Sequence, residues 1–201
     1  MATDAFDGSG PLTSPWVDYI PSSTSELTQT GGQLLPGAAA ESEGNYYGGA
    51  ASGSNQYSEI VVAGSLGSAQ TYWAASARVS GTDGSRNLYQ VSVTSNHYYI
   101  SKVTAGSSTD LADGSGSFNG SGTPFTLRIE TEDSGADVVI RMLVDGSLVD
   151  SVTDTSSPHS GGQPGLEVFA ATGVLTPINS WAGGNLAGGT GNPWNYYAQS
   201  E

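Results

Sequence analysis

With 201 residues, 36% of them hydrophobic and 29 of them glycine, the chain has room for one large β-rich domain and enough apolar content to bury a core. Five basic against 19 acidic residues give a formal net charge of −14, which repels phosphate backbones and anionic surfaces and excludes nucleic acid as a partner. Cysteine is absent, which excludes disulfides and thiolate metal sites, and no apolar run reaches the ~18 residues of a membrane span, so no membrane insertion is expected.

The opening MATDAFDGSGPLTSPW has neither a basic n-region nor an apolar h-region, so an export signal is not expected. Thr3–Phe6 alternates as an edge strand, and Trp16–Ile20 offers a second short strand between Pro15 and Pro21. Residues 21–56, polar and rich in Gly, Ser and Asn, read as long loops with room for two short strands. From Tyr57 the β signal sharpens: Tyr57–Ala63, Thr71–Val79, Asn87–Thr94 and Tyr98–Val103 are β-rich runs separated by turn-forming stretches. Alternation puts Trp73, Ala75, Ala77 and Val79 on one face, and Tyr89, Val91 and Val93 on another. Gly106–Gly122 reads as a loop. Phe125–Thr131 is the cleanest half-buried strand, with Phe125, Leu127 and Ile129 alternating with Thr126, Arg128 and Glu130. Asp145-Gly146 suits a tight turn of positive φ, so Val138–Val144 and Ser147–Val152 form a hairpin. A loop, Thr153–Pro164, leads to Leu166–Ala171 and a last run ending at Trp181. Strands recurring this often, with no helical period, predict an all-β antiparallel two-sheet jelly-roll sandwich over residues 1–184. Residues 185–201 then form a Gly-rich tail closing on an aromatic anchor, Trp194, Tyr196 and Tyr197.

The sequences ASARVSG at Ala75–Gly81, LYQVSV at Leu88–Val93, FTLRIE at Phe125–Glu130, VDG at Val144–Gly146 and SGGQPGL at Ser160–Leu166 together resemble the concanavalin A-like, laminin-G-type jelly roll. The resemblance covers roughly residues 3–184 and implies that Asp4-Ala5-Phe6 and Asn179-Ser180-Trp181 lie on the first and last strands, paired with each other. Domains of this kind occur in phage virion proteins and glycan-binding modules, and the fold also hosts glycanases and lyases, so function rests on particular residues.

Retaining glycanases of this fold bracket an aspartate with two glutamates on one strand, the nucleophile and acid about 5–5.5 Å apart. Here Glu130-Thr131-Glu132-Asp133 lacks the central aspartate and reads as a solvated strand end. His97 and His159 stand apart without zinc-type spacing, and the Gln-x-His expected of lyases is absent at His97. No catalytic or metal residues are therefore assigned, and no cofactor, although Asp4, Asp7, Asp110, Asp113 and Asp133 are candidate calcium ligands beside their reading as solvated loop acids. Arg78, Arg128 and Arg141 sit inside strands, where pairing with strand acids such as Glu130 outweighs capture of an acidic sugar. Tyr98, Trp73 and Arg128 are the candidate glycan-binding residues; Tyr46, Tyr47 and Tyr99 are further aromatics able to stack on sugar rings.

The leading expectation is a non-enzymatic bacteriophage virion structural protein, a capsid decoration or other particle-surface module. It would be homo-oligomeric and grip viral capsid or other virion proteins through Trp194, Tyr196 and Tyr197. The alternative is an extracellular, lectin-like glycan-binding adhesion module; a divergent glycanase comes third.

Overall fold

The computed structural model describes residues 1–20, 26–36, 41–49, 53–66, 71–118, 122–170 and 176–186. The predicted anchor Trp194, Tyr196 and Tyr197 lies outside them. Numbered along the chain, the first eight strands are β1 (Ala2–Asp4), β2 (Gly10–Pro11), β3 (Trp16–Ile20), β4 (Thr28–Thr30), β5 (Gln33–Leu35), β6 (Glu41–Tyr47), β7 (Gln56–Val62) and β8 (Thr71–Ser80). After one 3₁₀ turn, Asp83–Ser85, come β9 (Asn87–Val93), β10 (His97–Thr104), β11 (Ser107–Ser115) and β12 (Phe125–Ser134), then β13 (Asp137–Val144), β14 (Ser147–Asp154), β15 (Gln163–Ala170) and β16 (Ile178–Asn185). They build two antiparallel sheets. One has nine strands in the order β14-β13-β12-β7-β16-β5-β4-β2, with β1 beside β16; the other has seven, β11-β10-β9-β8-β15-β6-β3.

Alternation explains the layers. In β12, Leu127 and Ile129 are fully buried between the sheets while Arg128 and Glu130 turn outward. Opposite them, Trp73, Ala75, Tyr89, Val91, Leu166 and Val168 supply the inner face of the seven-strand sheet. Asp145 and Gly146 take φ of 50° and 73°, the tight turn that joins β13 to β14. The terminal strands pair with Asp4 opposite Trp181, as the family resemblance implies.

Three expectations are corrected. Ser107–Ser115, read as loop, is the edge strand β11; it pairs only with β10 and its side chains stay largely exposed, so it shows no apolar alternation. Within residues 21–56, three described strands form rather than two. Val79 does not share a face with Trp73: Arg78 takes φ of 56° and the β8–β9 register slips between Ala77 and Ser80. That irregularity sends Val79 to the outer side, where it clusters with Tyr19, Leu88 and Val103.

Candidate functional site

Because Tyr89, Val91 and Val93 face the core, alternation turns Leu88, Gln90 and Ser92 to the outer face of the seven-strand sheet. Neighbouring strands continue that face in register. One row across it reads Gly44, Glu167, Ala74, Ser92, Tyr99 and Asp113; the next reads Tyr46, Gly165, Ser76, Gln90, Ser101 and Asp110. The floor is thus small or hydrogen-bonding, and aromatic side chains rise around it. Tyr72 and Phe169 stack with ring centroids 5.7 Å apart, and Tyr99 leans on His97 at 4.8 Å.

Glu167 anchors one side of this face. It is 3% exposed; Tyr72 donates to its Oε1 at 3.2 Å, and the Tyr19 hydroxyl stands 3.3 Å from its Oε2 and 3.2 Å from Ser76 Oγ. Tyr19 reaches that position because it crosses over Gly44, where a Cβ would lie 2.6 Å from the phenol ring. Burial pushes the Glu167 carboxyl above its usual range, against the Arg86 charge and the two tyrosine hydrogen bonds. Burial followed by the Glu167 charge raises both phenols as well, so neither ionises at physiological pH.

A carboxyl raised in the folded state contributes fully below its unfolded value, about 4.3, and opposes folding as pH rises through the folded value. Glu167→Gln, which keeps hydrogen-bonding capacity without the charge, should melt higher than wild type at pH 8 and match it near pH 4. Parallel thermal denaturation at the two pH values checks this; equal melting at pH 8 contradicts it.

Two orphaned polar atoms lie on β9 and just before it. Gln90 is 6% exposed and its Oε1 has no hydrogen-bond partner; the Arg86 Nε is likewise buried and unpartnered. A buried carbonyl left without a donor costs about 1–3 kcal/mol.

The residues expected to bind glycan are not brought together. Trp73 is fully buried in the core and its Nε1 donates to the Thr176 carbonyl at 2.7 Å, so it has no face to offer a sugar. Arg128 lies on the outer face of the other sheet, 4.0 Å over the Tyr57 ring and 2.8 Å from Glu130. Tyr98 points between the sheets at their edge, donating to Asp150 Oδ2 at 3.0 Å. The three strand arginines all pair with acids, Arg78 with Asp133 at 2.8 Å and Arg141 with Glu132 at 2.9 Å. Of the candidate calcium ligands, Asp4 accepts from the Phe6 amide and Trp16 Nε1, Asp110 from Ser101, and Asp113 pairs with His97. Among the described residues no group of three or more carboxylates or histidines is placed to hold a metal. Sequence reasoning missed Glu167, Gln90, Tyr72 and Tyr19; the legible signal was a lone polar residue inside an apolar run, Glu167 in LEVFA and Gln90 in LYQVSV.

No protein-family model and no curated protein sequence matches the chain. Solved structures do. The carbohydrate binding module CBM66 from Bacillus subtilis superposes with a TM-score of 0.55 at 19% identity, covering 85% of this chain and 92% of that one. The metal-free carbohydrate recognition domain of Emp46p gives 0.60 at 12%, over 85% and 88% of the two chains. The β-glucanase of Bacillus licheniformis gives 0.57 at 12%, over 90% and 96%. At such identities the likeness is one of fold. The sheet order, the return of the last described strand beside the first and these superpositions give the chain a concanavalin A-like jelly-roll fold.

Proposed function

We propose that the protein is a glycan-binding module and that the outer face of the seven-strand sheet is its ligand surface. The observation that carries this is the pair of polar rows, the first holding Tyr99 and flanked by the Tyr72–Phe169 stack, the second holding the buried, unpartnered Gln90 carbonyl. Sugars present hydroxyls at their rims and C–H groups on their faces, and such a surface meets both, hydrogen bonds to the rims and ring stacking to the faces. Two of the structural neighbours carry carbohydrate recognition in their names, which supports the same reading. A polysaccharide ligand implies an extracellular setting.

Binding is favoured over hydrolysis by spacing. Glu167 and Asp113 lie four strands apart in one row, roughly 19 Å at 4.8 Å per strand. Glycosidase carboxylates stand about 5–9.5 Å apart. The attachment residues of the virion-surface expectation, Trp194, Tyr196 and Tyr197, lie outside the described residues, whereas the glycan reading rests on described side chains.

Affinity electrophoresis and calorimetry against a polysaccharide panel test it. Phe169→Ala and Tyr99→Ala should each weaken binding roughly 2–10-fold, the worth of one aromatic contact, while Tyr72→Phe retains it. If Arg128→Ala abolishes binding and Phe169→Ala does not, the ligand surface is on the other sheet and the proposal fails.

A further inference from the structure

Resting on that reading, we propose that the face takes uncharged glycans and that Gln90 is the specificity-determining acceptor for a ligand hydroxyl. The electrostatic observation is the population of the face. Glu167 borders one end of the two polar rows and Asp110 and Asp113 the other, so an arriving uronate or sulfate meets a carboxylate at each end. The standing cation on this side is Arg86, whose charge acts on Glu167, Tyr72 and Tyr19. His97 is 3.0 Å from Asp113. The whole chain adds a charge of −14 that repels polyanions at long range.

The second observation is the orphan. Gln90 sits in the middle of its row, Ser76 on one side and Ser101 on the other, both already engaged, by Tyr19 and by Asp110. Its Oε1 is left without a donor on a strand face whose other polar side chain, Ser92, is small. An amide is an acceptor that carries no charge, so a sugar hydroxyl satisfies it without ion pairing, and an anionic group, having no hydrogen to donate, does not. Discrimination by leaving a polar group unpaired is stronger than discrimination by apolar shape.

The experiment uses the full chain and two sets of polysaccharides, dextran, inulin, laminarin and galactomannan against alginate, polygalacturonate and chondroitin sulfate. At least one uncharged polymer should bind at least tenfold more tightly than every acidic one at low salt. Acidic polymers binding equally or better overturn the selectivity while leaving the glycan reading intact; no binding by any polymer, on a wider array as well, overturns both. Gln90→Leu separates function from folding. Removing an orphaned buried carbonyl should leave the melting temperature unchanged or raised and weaken the preferred glycan about tenfold; unchanged affinity, or a lowered melting temperature with affinity retained, overturns the role given to Gln90.

Discussion

Trp181→Ala is expected to lower the unfolding free energy by about 3–5 kcal/mol, the range for deleting a buried tryptophan. The indole is 1% exposed and packs with Trp16 at 4.9 Å and Tyr47 at 5.0 Å between ring centroids, so it joins the closing strand to two strands near the start of the chain. Its neighbour Gly183 is a glycine for its sake: a Cβ there would lie 2.3 Å from the indole. Trp181 Nε1 donates to Ser58 Oγ at 2.9 Å, and Ser58 in turn donates to the Gly165 carbonyl of β15 at 2.6 Å. The substitution therefore opens a cavity and loosens a hydrogen-bond bridge from one sheet to the other. Trp181→Phe keeps most of the packing and forfeits the indole hydrogen bond to Ser58, for roughly 0.5–1.5 kcal/mol. Against a typical total of about 5–15 kcal/mol the larger loss leaves a marginal domain. Urea unfolding followed by circular dichroism measures both; a Trp181→Ala midpoint within error of wild type would refute the central place given to this ring.

The parts of the fold legible in sequence are those where one side of a strand is wet and the other dry. Phe125–Thr131 alternates because its outer side chains meet solvent and one another, and Asp145-Gly146 announces its turn by chemistry. Ser107–Ser115 was illegible because an exposed edge strand needs no apolar alternation. Thr71–Val79 was legible as a strand and in phase as far as Ala77; the positive φ of Arg78, which alternation does not announce, put Val79 on the other side. The candidate site was hidden for a different reason. Tyr19 meets Ser76 across 57 positions and Glu167 across 148, so only the register of β3, β6, β15, β8 and β9 assembles the cluster. The strand arginines pair with strand acids as expected because the alternation that turns them outward brings acids within reach: Arg128 meets Glu130 two residues along its own strand and Glu59 across from it, and Arg141 meets Glu132 on the diagonal. Reading Trp73 as a sugar platform failed because a chain with so few Phe and Leu puts tryptophan in its core.

Asp154→Asn should remove about 3–5 kcal/mol at pH 7, the cost of stripping one partner from a buried ion pair. Lys102 Nζ lies 2.8 Å from Asp154 Oδ2 with side-chain exposures of 12% and 2%, and Tyr89 donates to the same carboxylate at 2.6 Å. Asp154 ends β14 of one sheet while Tyr89 and Lys102 belong to β9 and β10 of the other, so the cluster clasps the sandwich at that end. The following loop is held by the same groups: Lys102 donates to the Ser156 carbonyl at 2.6 Å, the His159 amide to Tyr89 at 3.0 Å, and Arg78 to the His159 carbonyl at 2.6 Å. Burial would raise the Asp154 carboxyl, but hydrogen bonds from Lys102, Tyr89 and the Ser156 amide, with the Lys102 charge, outweigh it and hold the carboxyl below its ordinary value. Asp133 is lowered in the same way by Ser54 and Arg78 against its own burial. Depressed carboxyls give stability that is complete above the unfolded value, about 3.9, and is lost as pH falls through the folded one. His159 is depressed chiefly by burial, so its contribution begins to fall earlier, below about pH 6.5, as the unfolded chain takes up the proton first. All three therefore weaken the fold toward acid, and Glu167 opposes them. The wild-type melting temperature should decline gently from pH 7 to 5 and steeply below 4. The Asp154→Asn curve should start lower, decline less and approach wild type as the pH falls below 4, while His159→Gln should flatten only the gentle limb. Parallel wild-type and Asp154→Asn curves across the acid range would mean that the clasp is not what acid undoes.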